Sequence, residues 1–465
     1  MTTRPIAVVG ASAAGLAAAE ALRRGGWRGP LTLIGAEPHL PYDRPPLSKQ
    51  LLHGAWEPDR LRLRTEEQLA PLDLDLRLGT RATGLDVATR TLTLDGGVGV
   101  PPARARSRVG ELRCAGVIIA TGVAARTLPG ADRIAGVHTL RTLDEALALR
   151  ARLAGRGRRL VIVGNGVLGC EAAAVARELG HEVTLVGIEE TPMAAAVGTE
   201  VGALLAEEHR ARGVRLCTGV VDGFETAPAG GPAGTGDPRV TAVRLANGGL
   251  PGSAGSAAGG GGGSRLPADL VLLAIGARPA VEWLTDPALD TTDGLRCDAY
   301  CAAAPGIYAA GDVARWDHPV HGRPLRFEHR MNATEQGMAA ARNLLAELNA
   351  TAPAAPGAGN DAPIQERRPF APVPYFWSDQ YDLKLQAYGL TADADRVETT
   401  VLDRAERRLL ALYGRGGRAV GVLAAGLPPR QLRALRAVIA TPLPWEEARE
   451  RIGAATAAGG DTPRR

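Results

Sequence analysis

The strongest constraint on the fold is a short stretch near the amino terminus, residues 6–15, which reads IAVVGASAAG. The apolar run Ile6–Val9 predicts a fully buried strand, which breaks at Gly10. The Ala/Leu-rich run Leu16–Arg24 predicts a helix that two glycines end. A strand, a glycine-containing turn and a helix are the geometry that binds a dinucleotide pyrophosphate at a helix N-terminus. Ser12 replaces the second glycine of the G-x-G-x-x-G pattern, which weakens the motif without breaking it.

A secretory signal is the alternative for this stretch, because Arg4 precedes an apolar segment of small residues. Two glycines interrupt that segment, however, and Leu31–Ile34 predicts a second buried strand. The two strands and the helix between them complete a β-α-β unit, so we expect a nucleotide-binding unit here.

The same pattern returns about 150 residues further along the chain. Arg159–Val163 predicts a strand, Glu171–Leu179 a helix and Glu182–Val186 the next strand, and residues 164–169 between the first two read GNGVLG. This second loop has the full G-x-G-x-x-G spacing. Two copies in a strand–turn–helix context predict two nucleotide sites, and the chemistry that needs two dinucleotides is hydride transfer between a nicotinamide and a flavin.

Composition limits the remaining possibilities. A chain of 465 residues should hold about three domains of roughly 150 residues each. No apolar stretch is long enough to span a bilayer, and five cysteines without a C-x-x-C pattern favour a reducing compartment, which with no signal points to the cytoplasm. The net charge of +4 fits an acidic protein partner or anionic cofactors, and the chain lacks the Lys/Arg runs typical of nucleic-acid binding.

The segments outside the two units give a coarse map. Buried strands are predicted at Val117–Gly122, Leu270–Gly276 and Gly306–Val313, a β-rich stretch at Leu74–Leu94, and helices at Thr142–Leu153, which has a capping box, and Asn332–Leu345. Loop or linker composition is found at residues 41–50, 98–110, 227–236, 248–264 and 350–362, and we expect a third domain from Phe370 onward.

Seven segments in this order carry a family resemblance: IAVVGASAAG, PYDRPPLSK, VIIATG, GNGVLGCEAA, GIYAAGDVA, RFEHRMNATEQG and PYFWSDQY. Over about 380 residues the chain resembles the FAD-dependent ferredoxin reductases of bacterial oxygenase systems. The resemblance implies an α/β fold with two Rossmann-like dinucleotide-binding domains and a small C-terminal α+β domain. The FAD domain would comprise residues 1–118 and 275–345, the inserted NAD domain residues 119–274, and the C-terminal domain residues 346–465, with a linker over 346–368.

The resemblance also implies roles for individual residues. Lys49 and Glu171 are the expected catalytic pair, with the ammonium beside the flavin and the carboxylate as its partner. A solvated loop lysine and a helix N-terminal carboxylate are the structural alternatives; lysine occurs only at positions 49 and 384, which favours a function for Lys49. The expected FAD contacts are Gly10, Ser12, Ala14, Gly15, Ala36, Glu37, Lys49, Ala82, Thr121, Gly122, Arg141, Gly311, Asp312, Glu328, His329, Arg330 and Trp377. The expected NAD contacts are Gly164, Gly166, Val167, Leu168, Gly169, Glu171, Glu189 and Gly276.

Three positions depart from the family pattern. Ala36 stands where members carry an acid after the second FAD strand, and Glu37 next to it is expected to bind the ribose. Gly187 replaces the acid after the NAD strand, with Glu189 and Glu190 just beyond it. No basic residue stands there to bind a 2′-phosphate, which favours NADH over NADPH. Arg330 occupies a position that is often aromatic in the family.

Cysteines and histidines narrow the reaction class. Residues 38–52 contain no cysteine, where disulfide reductases of this architecture carry a redox pair and peroxidases a single cysteine. Cys114 and Cys170 are expected to be core thiols. Cys297 and Cys301 are spaced as a loose pair for which a metal or disulfide role is the alternative, although no metal site is expected. The sequence predicts that His318 and His321 lie at the surface and that His329 belongs to the flavin surround.

The resulting hypothesis is an NADH-dependent ferredoxin reductase. Hydride would pass from NADH to FAD, and single electrons would then pass to a small iron–sulfur ferredoxin that feeds an oxygenase. Neither a nucleic acid nor a membrane is an expected partner. Two alternatives stay open: an NADH oxidase-type flavoenzyme that uses oxygen or a small-molecule acceptor, and a non-enzymatic redox-sensing flavoprotein.

Overall fold

The computed structural model describes residues 4–96, 110–228, 237–249, 264–351, 366–392 and 394–457. It contains two compact units, and neither is continuous in sequence. Unit 1 comprises Met1–Asp43, Leu61–Ala124 and Arg278–Pro372, and unit 2 comprises Arg44–Arg60, Ala125–Ala277 and Val373–Arg465. The loop at 98–109 and most of the low-complexity and linker segments predicted from composition lie outside the described residues. Within the part of the chain that is described, no helix is long and apolar enough to cross a membrane.

The strands, numbered in chain order, are β1 (Ile6–Val9), β2 (Leu31–Gly35), β3 (Asp75–Leu78), β4 (Thr80–Asp86), β5 (Thr91–Gly96), β6 (Gly110–Arg113), β7 (Gly116–Ile119), β8 (Val123–Ala125), β9 (Val137–His138), β10 (Arg159–Val163), β11 (Glu182–Gly187), β12 (Arg215–Ala227), β13 (Arg239–Gly249), β14 (Arg265–Pro267), β15 (Leu270–Leu273), β16 (Ala277–Pro279), β17 (Leu295–Cys297), β18 (Ala302–Ala304), β19 (Ile307–Ala309), β20 (Ala314–His318), β21 (Arg323–Leu325), β22 (Tyr375–Gln380), β23 (Leu383–Gly389), β24 (Arg396–Asp403), β25 (Arg408–Arg415) and β26 (Arg418–Ala425). The α-helices are α1 (Ala13–Arg24), α2 (Gln50–His53), α3 (Glu66–Leu69), α4 (Leu143–Arg152), α5 (Val167–Glu178), α6 (Ala194–Val197), α7 (Thr199–Ala211), α8 (Arg330–Thr351), α9 (Pro429–Ile439) and α10 (Trp445–Ala457). Short 3₁₀ helices span Pro45–Ser48, Pro58–Leu61, Ala70–Leu72, Ala131–Arg133 and Gly311–Val313.

Unit 1 is built on a six-stranded sheet in the order β18-β19-β7-β1-β2-β3. Strands β19, β7, β1, β2 and β3 are parallel, and β18 pairs with β19 in the antiparallel direction. The first strand, IAVV, is buried at every position, as its continuous apolar run predicts. Two three-stranded sheets, β4-β5-β6 and β17-β20-β21, complete the unit.

Small residues let two helices of unit 1 approach closely. α1 packs against α8, and a Cβ at Gly337 of α8 would clash with the backbone carbonyl of Ala14 in α1. A Cβ at Gly25 would likewise meet the side chain of Leu345 at 2.5 Å. The Ala/Gly composition of α1 therefore reflects helix–helix packing, since larger side chains would separate the helices.

Unit 2 contains a seven-stranded sheet in the order β14-β13-β12-β11-β10-β15-β9. The five strands β12, β11, β10, β15 and β9 are parallel. Strand β13 pairs with β12 in the antiparallel direction and so extends the sheet through a long hairpin. The same unit holds the five-stranded antiparallel sheet β22-β23-β26-β25-β24, which α9 covers. The predicted α/β fold with two Rossmann-like domains and a C-terminal α+β domain is confirmed, and the C-terminal part is built on this antiparallel sheet.

Several boundaries differ from the sequence predictions. The buried strand expected over Gly306–Val313 ends at Ala309, because residues 311–313 turn as a 3₁₀ helix. The last predicted helix extends from Arg330 to Thr351, beyond the expected start of the linker at residue 346. Phe370 belongs to unit 1: its side chain is 8% exposed in that core, and its carbonyl accepts a 3.0 Å hydrogen bond from Trp316 Nε1. The capping box of α4, formed by Thr142 and Glu145, is present as predicted.

Candidate dinucleotide sites and the buried Lys49–Glu171 pair

The first glycine loop makes the tight turn that its sequence predicts. Gly10 has a φ of 120°, and a Cβ there would clash with the carbonyl of Ala120. A Cβ at Gly15 would clash with the carbonyl of Gly10, so both positions require glycine. Ser12 is the N-cap of α1, but its hydroxyl does not cap the first turn of the helix. The N–H groups of that turn therefore remain available to an anion.

Three strands of unit 1 bring predicted FAD residues to the same edge of the sheet. Gly10 follows β1, Thr121 follows β7, and Gly311 and Asp312 follow β19, all at carboxyl ends of parallel strands. A Cβ at Gly311 would lie 3.1 Å from the Cβ of Ala14 in α1. In open α/β sheets this edge is where ligands bind, so the sequence-distant members of the predicted site converge as a nucleotide site requires.

Gln336 holds this edge and was not identified from the sequence. Its Oε1 accepts a 2.9 Å hydrogen bond from the backbone N–H of Gly311, and its Nε2 lies 3.8 Å from the sulfur of Cys301. One helical turn earlier, Asn332 is 4% exposed, and its Oδ1 has no hydrogen-bond partner among the described residues. Both lie in the segment RFEHRMNATEQG, so the family motif was the signal that could have indicated them.

The other FAD-site candidates of unit 1 lie in ordered polar surroundings. Glu37, after β2, accepts a 2.5 Å hydrogen bond from the hydroxyl of Tyr42, and Ala36 precedes it. Arg330 forms an ion pair with Asp43. Three more candidates are Ala82, which is buried in β4, Gly122, whose carbonyl accepts from the N–H of Ala280, and Glu328, which pairs with Arg326 at 2.7 Å.

In the second glycine loop, which lies in unit 2, the first and third glycines are required by packing and the second is not. Cβ atoms at Gly164 and Gly169 would clash with the carbonyls of Ala274 and Gly164 respectively. A Cβ at Gly166, by contrast, would meet nothing within 4 Å. None of the described residues requires glycine at Gly166, the N-cap of α5, so the open space in front of it fits a pyrophosphate approaching the helix N-terminus.

The strand that follows this loop explains the missing acid. A Cβ at Gly187, the last residue of β11, would overlap the side-chain amide of Asn165. The Nδ2 of Asn165 donates to the carbonyls of Glu189 at 2.9 Å and Thr191 at 3.4 Å. Asn165 therefore fills the volume that an acidic side chain at residue 187 would enter, and it fixes the loop after β11. Ile188 in that loop is 75% exposed.

Lys49 and Glu171 form the ion pair that the resemblance implies. Lys49 Nζ lies 2.7 Å from Glu171 Oε2, and their side chains are 11% and 4% exposed. The same carboxylate oxygen accepts a 2.6 Å hydrogen bond from Ser48 Oγ, and Oε1 accepts a 2.9 Å bond from Ser378 Oγ. Lys49 reaches this position between a proline-rich 3₁₀ turn and α2, both of which pack against α5. A buried carboxylate with three charge-assisted donors is a fixed anion.

Three further candidates lie in unit 2. The carbonyl of Arg141 accepts a 2.7 Å hydrogen bond from Arg44, and its N–H donates to Glu145 at 2.6 Å. Gly276, with a φ of 91°, accepts a 3.0 Å hydrogen bond from a backbone N–H after β8. Trp377 stacks on Tyr375 of its own strand, with ring centroids 5.8 Å apart.

Every cysteine is a free, buried thiol. Burial raises the pKa of Cys114 and of Cys301 to about 12, and it raises the pKa of Cys170 and Cys297 as well. Cys297 and Cys301 form no disulfide, and no group of three or more metal-ligating side chains occurs among the described residues. A thiol with a raised pKa is a poor nucleophile at neutral pH, so none of these cysteines is placed or ionised as a redox relay.

The prediction that His318 lies at the surface is wrong. His318 is 1% exposed, because it ends strand β20 under the chain segment that leaves unit 1. Its Nε2 lies 3.0 Å from the carbonyl of Pro372, and its ring contacts Trp316. His321 is partly buried against the His318 ring, and burial lowers its pKa to about 4. His329 stacks on Phe327.

Two Rossmann-type sheets with glycine loops, together with a C-terminal antiparallel sheet, define a dinucleotide-dependent oxidoreductase. Family models match the description "Pyridine nucleotide-disulphide oxidoreductase" over residues 4–337 and "Reductase C-terminal" over residues 375–451. The chain belongs to the pyridine nucleotide-disulphide oxidoreductase family, in its ferredoxin reductase branch.

Individual relatives agree with this assignment. The chain is 34% identical to the ferredoxin–NAD(+) reductase component of the anthranilate 1,2-dioxygenase system of Burkholderia cepacia, over 95% of both chains. It is 32% identical to rhodocoxin reductase of Rhodococcus erythropolis, over 94% of this chain and 90% of the relative. The fold matches putidaredoxin reductase in its covalent complex with putidaredoxin, with a TM-score of 0.79, 28% identity and coverage of 98% and 100%.

Proposed function

We propose that this protein is an NADH-dependent ferredoxin reductase that transfers electrons to a small iron–sulfur ferredoxin of an oxygenase system. The carrying observation is the pair of glycine loops, of which the second leaves open space at Gly166 for a pyrophosphate. The buried thiols support direct transfer without a sulfur intermediary, since all five cysteines are free and enclosed. Free thiols also support a reducing compartment, for which we propose the cytoplasm.

FAD is the proposed cofactor of unit 1. The clashing Cβ positions at Gly10 and Gly15, the uncapped turn of α1 and the orphan Oδ1 of Asn332 fit a bound polar group at this sheet edge. When bound, the flavin supplies the chemistry that accepts a hydride and releases electrons one at a time. Asp312 is the proposed acceptor for a sugar hydroxyl. The family resemblance supports Lys49, Arg141 and Trp377 as further FAD contacts, and the domain boundaries inferred from it remain predictions.

The residues of this chain position reactants and carry charge, and no side chain is required as an acid or base. Lys49, held by Glu171 at 2.7 Å, provides a fixed cation that favours negative charge beside it. The N–H groups at the starts of α1 and α5 bind pyrophosphates. The rate enhancement comes from the orientation of the two bound dinucleotides, as expected for a reaction that is a transfer between cofactors.

We propose NADH and not NADPH as the reductant. Asn165 fills the volume beside Gly187, and the next three residues are Ile188, Glu189 and Glu190. Two carboxylates and no cation in this loop disfavour a 2′-phosphate. We expect NAD⁺ to bind the oxidised protein at least ten-fold more tightly than NADP⁺ by titration calorimetry. A Glu189→Arg variant should narrow this ratio, and equal affinities in the unchanged protein contradict the proposal.

Anaerobic stopped-flow reduction followed by mixing with [2Fe–2S] ferredoxins, putidaredoxin first, tests the whole proposal. NADH should bleach the flavin, and a ferredoxin should then reoxidise it much faster than air does. Fast NADH consumption in air without a carrier would instead indicate an oxidase. A long-lived reduced complex that no ferredoxin reoxidises would indicate a redox sensor.

A further inference from the structure

A line of buried polar side chains in unit 2 ends at Glu171. The hydroxyl of Tyr381 lies 3.0 Å from His209 Nδ1, and His209 Nε2 lies 3.0 Å from Gln380 Oε1. Gln380 Nε2 donates to Ser378 Oγ at 3.1 Å, and Ser378 Oγ donates to Glu171 Oε1 at 2.9 Å. Glu171, His209, Ser378 and Gln380 are each 3% exposed or less. Four consecutive hydrogen bonds thus connect α7, β22 and α5.

The donors in this line all point toward Glu171. An amide oxygen only accepts, so His209 Nε2 carries the hydrogen that faces Gln380 Oε1. Burial lowers the pKa of His209, so the ring is neutral and its Nδ1 accepts from Tyr381. Gln380 donates to Ser378, whose one hydroxyl hydrogen is then directed to the carboxylate. The orientation is fixed from end to end because Glu171 is an anion that can only accept.

Ser378 has a distinct position around the carboxylate. Oε2 of Glu171 accepts from Ser48 and Lys49, and among the described residues Ser378 is the side chain that donates to Oε1. The charged or titratable groups facing Glu171 are Lys49 from the segment before α2, the Cys170 thiol on its own helix, and His209 through Gln380. The hydrogen bonding of Oε1 therefore depends on the Ser378 hydroxyl.

We propose that Ser378 is a positioning residue for the Lys49–Glu171 pair, and that Gln380 and His209 hold the Ser378 hydroxyl in its donating orientation. Ser378 and Gln380 alternate along β22 with Trp377 and Asp379, so they occupy the opposite face of the strand from Trp377. The line thus attaches the strand that carries Trp377 to α5. This inference rests on the proposed function, in which Lys49 acts on the flavin.

The test is an equilibrium measurement on the holoprotein without nicotinamide: the midpoint potential of the flavin at about pH 7, by equilibration with reference dyes. Glu171→Gln removes the charge that partners Lys49, so the potential should shift. Ser378→Ala removes the hydroxyl that donates to Oε1 of Glu171 and loosens the hold on the pair, so its potential should shift in the same direction as that of Glu171→Gln, by a smaller amount. Ser378→Thr, which keeps the hydroxyl, should restore the potential of the unchanged protein.

Two variants separate the possible failures. Tyr413→Phe is the matched control, because it removes a buried 2.7 Å hydrogen bond to Val197 in the same unit without touching Glu171; its potential should be that of the unchanged protein. If Glu171→Gln leaves the potential unchanged, the proposed action of the pair on the flavin fails. If Glu171→Gln shifts the potential while the Ser378→Ala potential coincides with that of the unchanged protein, the role of Ser378 is overturned.

Discussion

Replacing Glu171 by leucine removes the acceptor of three hydrogen-bond donors, Ser48, Lys49 and Ser378. The Lys49 side chain, 11% exposed, then loses the carboxylate with which its ammonium pairs. Removing one partner of a buried ion pair costs about 3 kcal/mol or more, because the other charge stays desolvated. At 1.36 kcal/mol for each factor of ten, the opening equilibrium around α5 and β22 should rise about 150-fold.

Amide hydrogen exchange with peptide resolution is the suitable assay, because a chain of two units does not unfold in a single two-state step. Peptides from α5 and β22 should lose protection by about two orders of magnitude in Glu171→Leu. The double variant Lys49→Met/Glu171→Leu should regain at least ten-fold of that protection, since an apolar pair replaces the isolated charge. Ser48 and Ser378 lose their acceptor in both variants, so recovery should be partial.

An exposed pair in the same unit provides the control. Arg404 and Glu207 lie 2.8 Å apart with side chains 75% and 60% exposed. Arg404→Met should change protection less than five-fold, because solvent already screens that pair. The reasoning is refuted if Glu171→Leu lowers protection by less than ten-fold, or if the double variant is no better protected than Glu171→Leu.

Three further outcomes can be measured on the unmodified chain and simple variants. Burial lowers the pKa of His209 below its ordinary 6.5, so the folded state binds fewer protons than the unfolded state. The amide-exchange protection of α7 should therefore be complete above pH 6.5 and fall as the pH drops below that value. In His209→Gln this pH dependence should disappear. A flat profile in the unchanged protein contradicts the buried neutral ring. With burial raising the pKa of Cys301 to about 12, Ellman's reagent at pH 8 should titrate less than one thiol per native chain and five in guanidinium; rapid reaction of two native thiols would contradict this. Phe370→Ala should destabilise unit 1 by about 3–5 kcal/mol, measured as loss of amide-exchange protection around Trp316. Val320→Ala, at a residue that is 45% exposed, should have little effect. Equal effects of the two substitutions would exclude the core role of Phe370.

Local steric rules made the two glycine turns predictable. Gly10, Gly15, Gly164 and Gly169 are required by clashes with backbone atoms a few residues away or on a neighbouring strand, and such requirements recur with fixed spacing. The buried strands were equally accessible, because both faces of a parallel sheet demand apolar residues. The fold class therefore followed from short-range patterns.

The polar contacts across long sequence distances were not predictable in this way. The Lys49–Glu171 pair was expected only from the family resemblance, since no periodicity relates two residues 122 positions apart. Ser378 and Gln380 acquire their role from register in β22, which composition does not reveal. His318 was misjudged because neighbouring prolines suggested an exposed loop, while the carbonyl of Pro372, which covers it, comes from much later in the chain.

The interleaving of the two units has a consequence for synthesis in the cell. Unit 1 needs residues up to Pro372 before all its pieces exist, yet its first strand is translated more than three hundred residues earlier. The apolar face of α1, which α8 covers in the finished protein, must wait for more than three hundred residues to be translated. Nascent chains of intermediate length thus expose an apolar Ala/Leu surface, and they are the species that most need a chaperone to prevent aggregation.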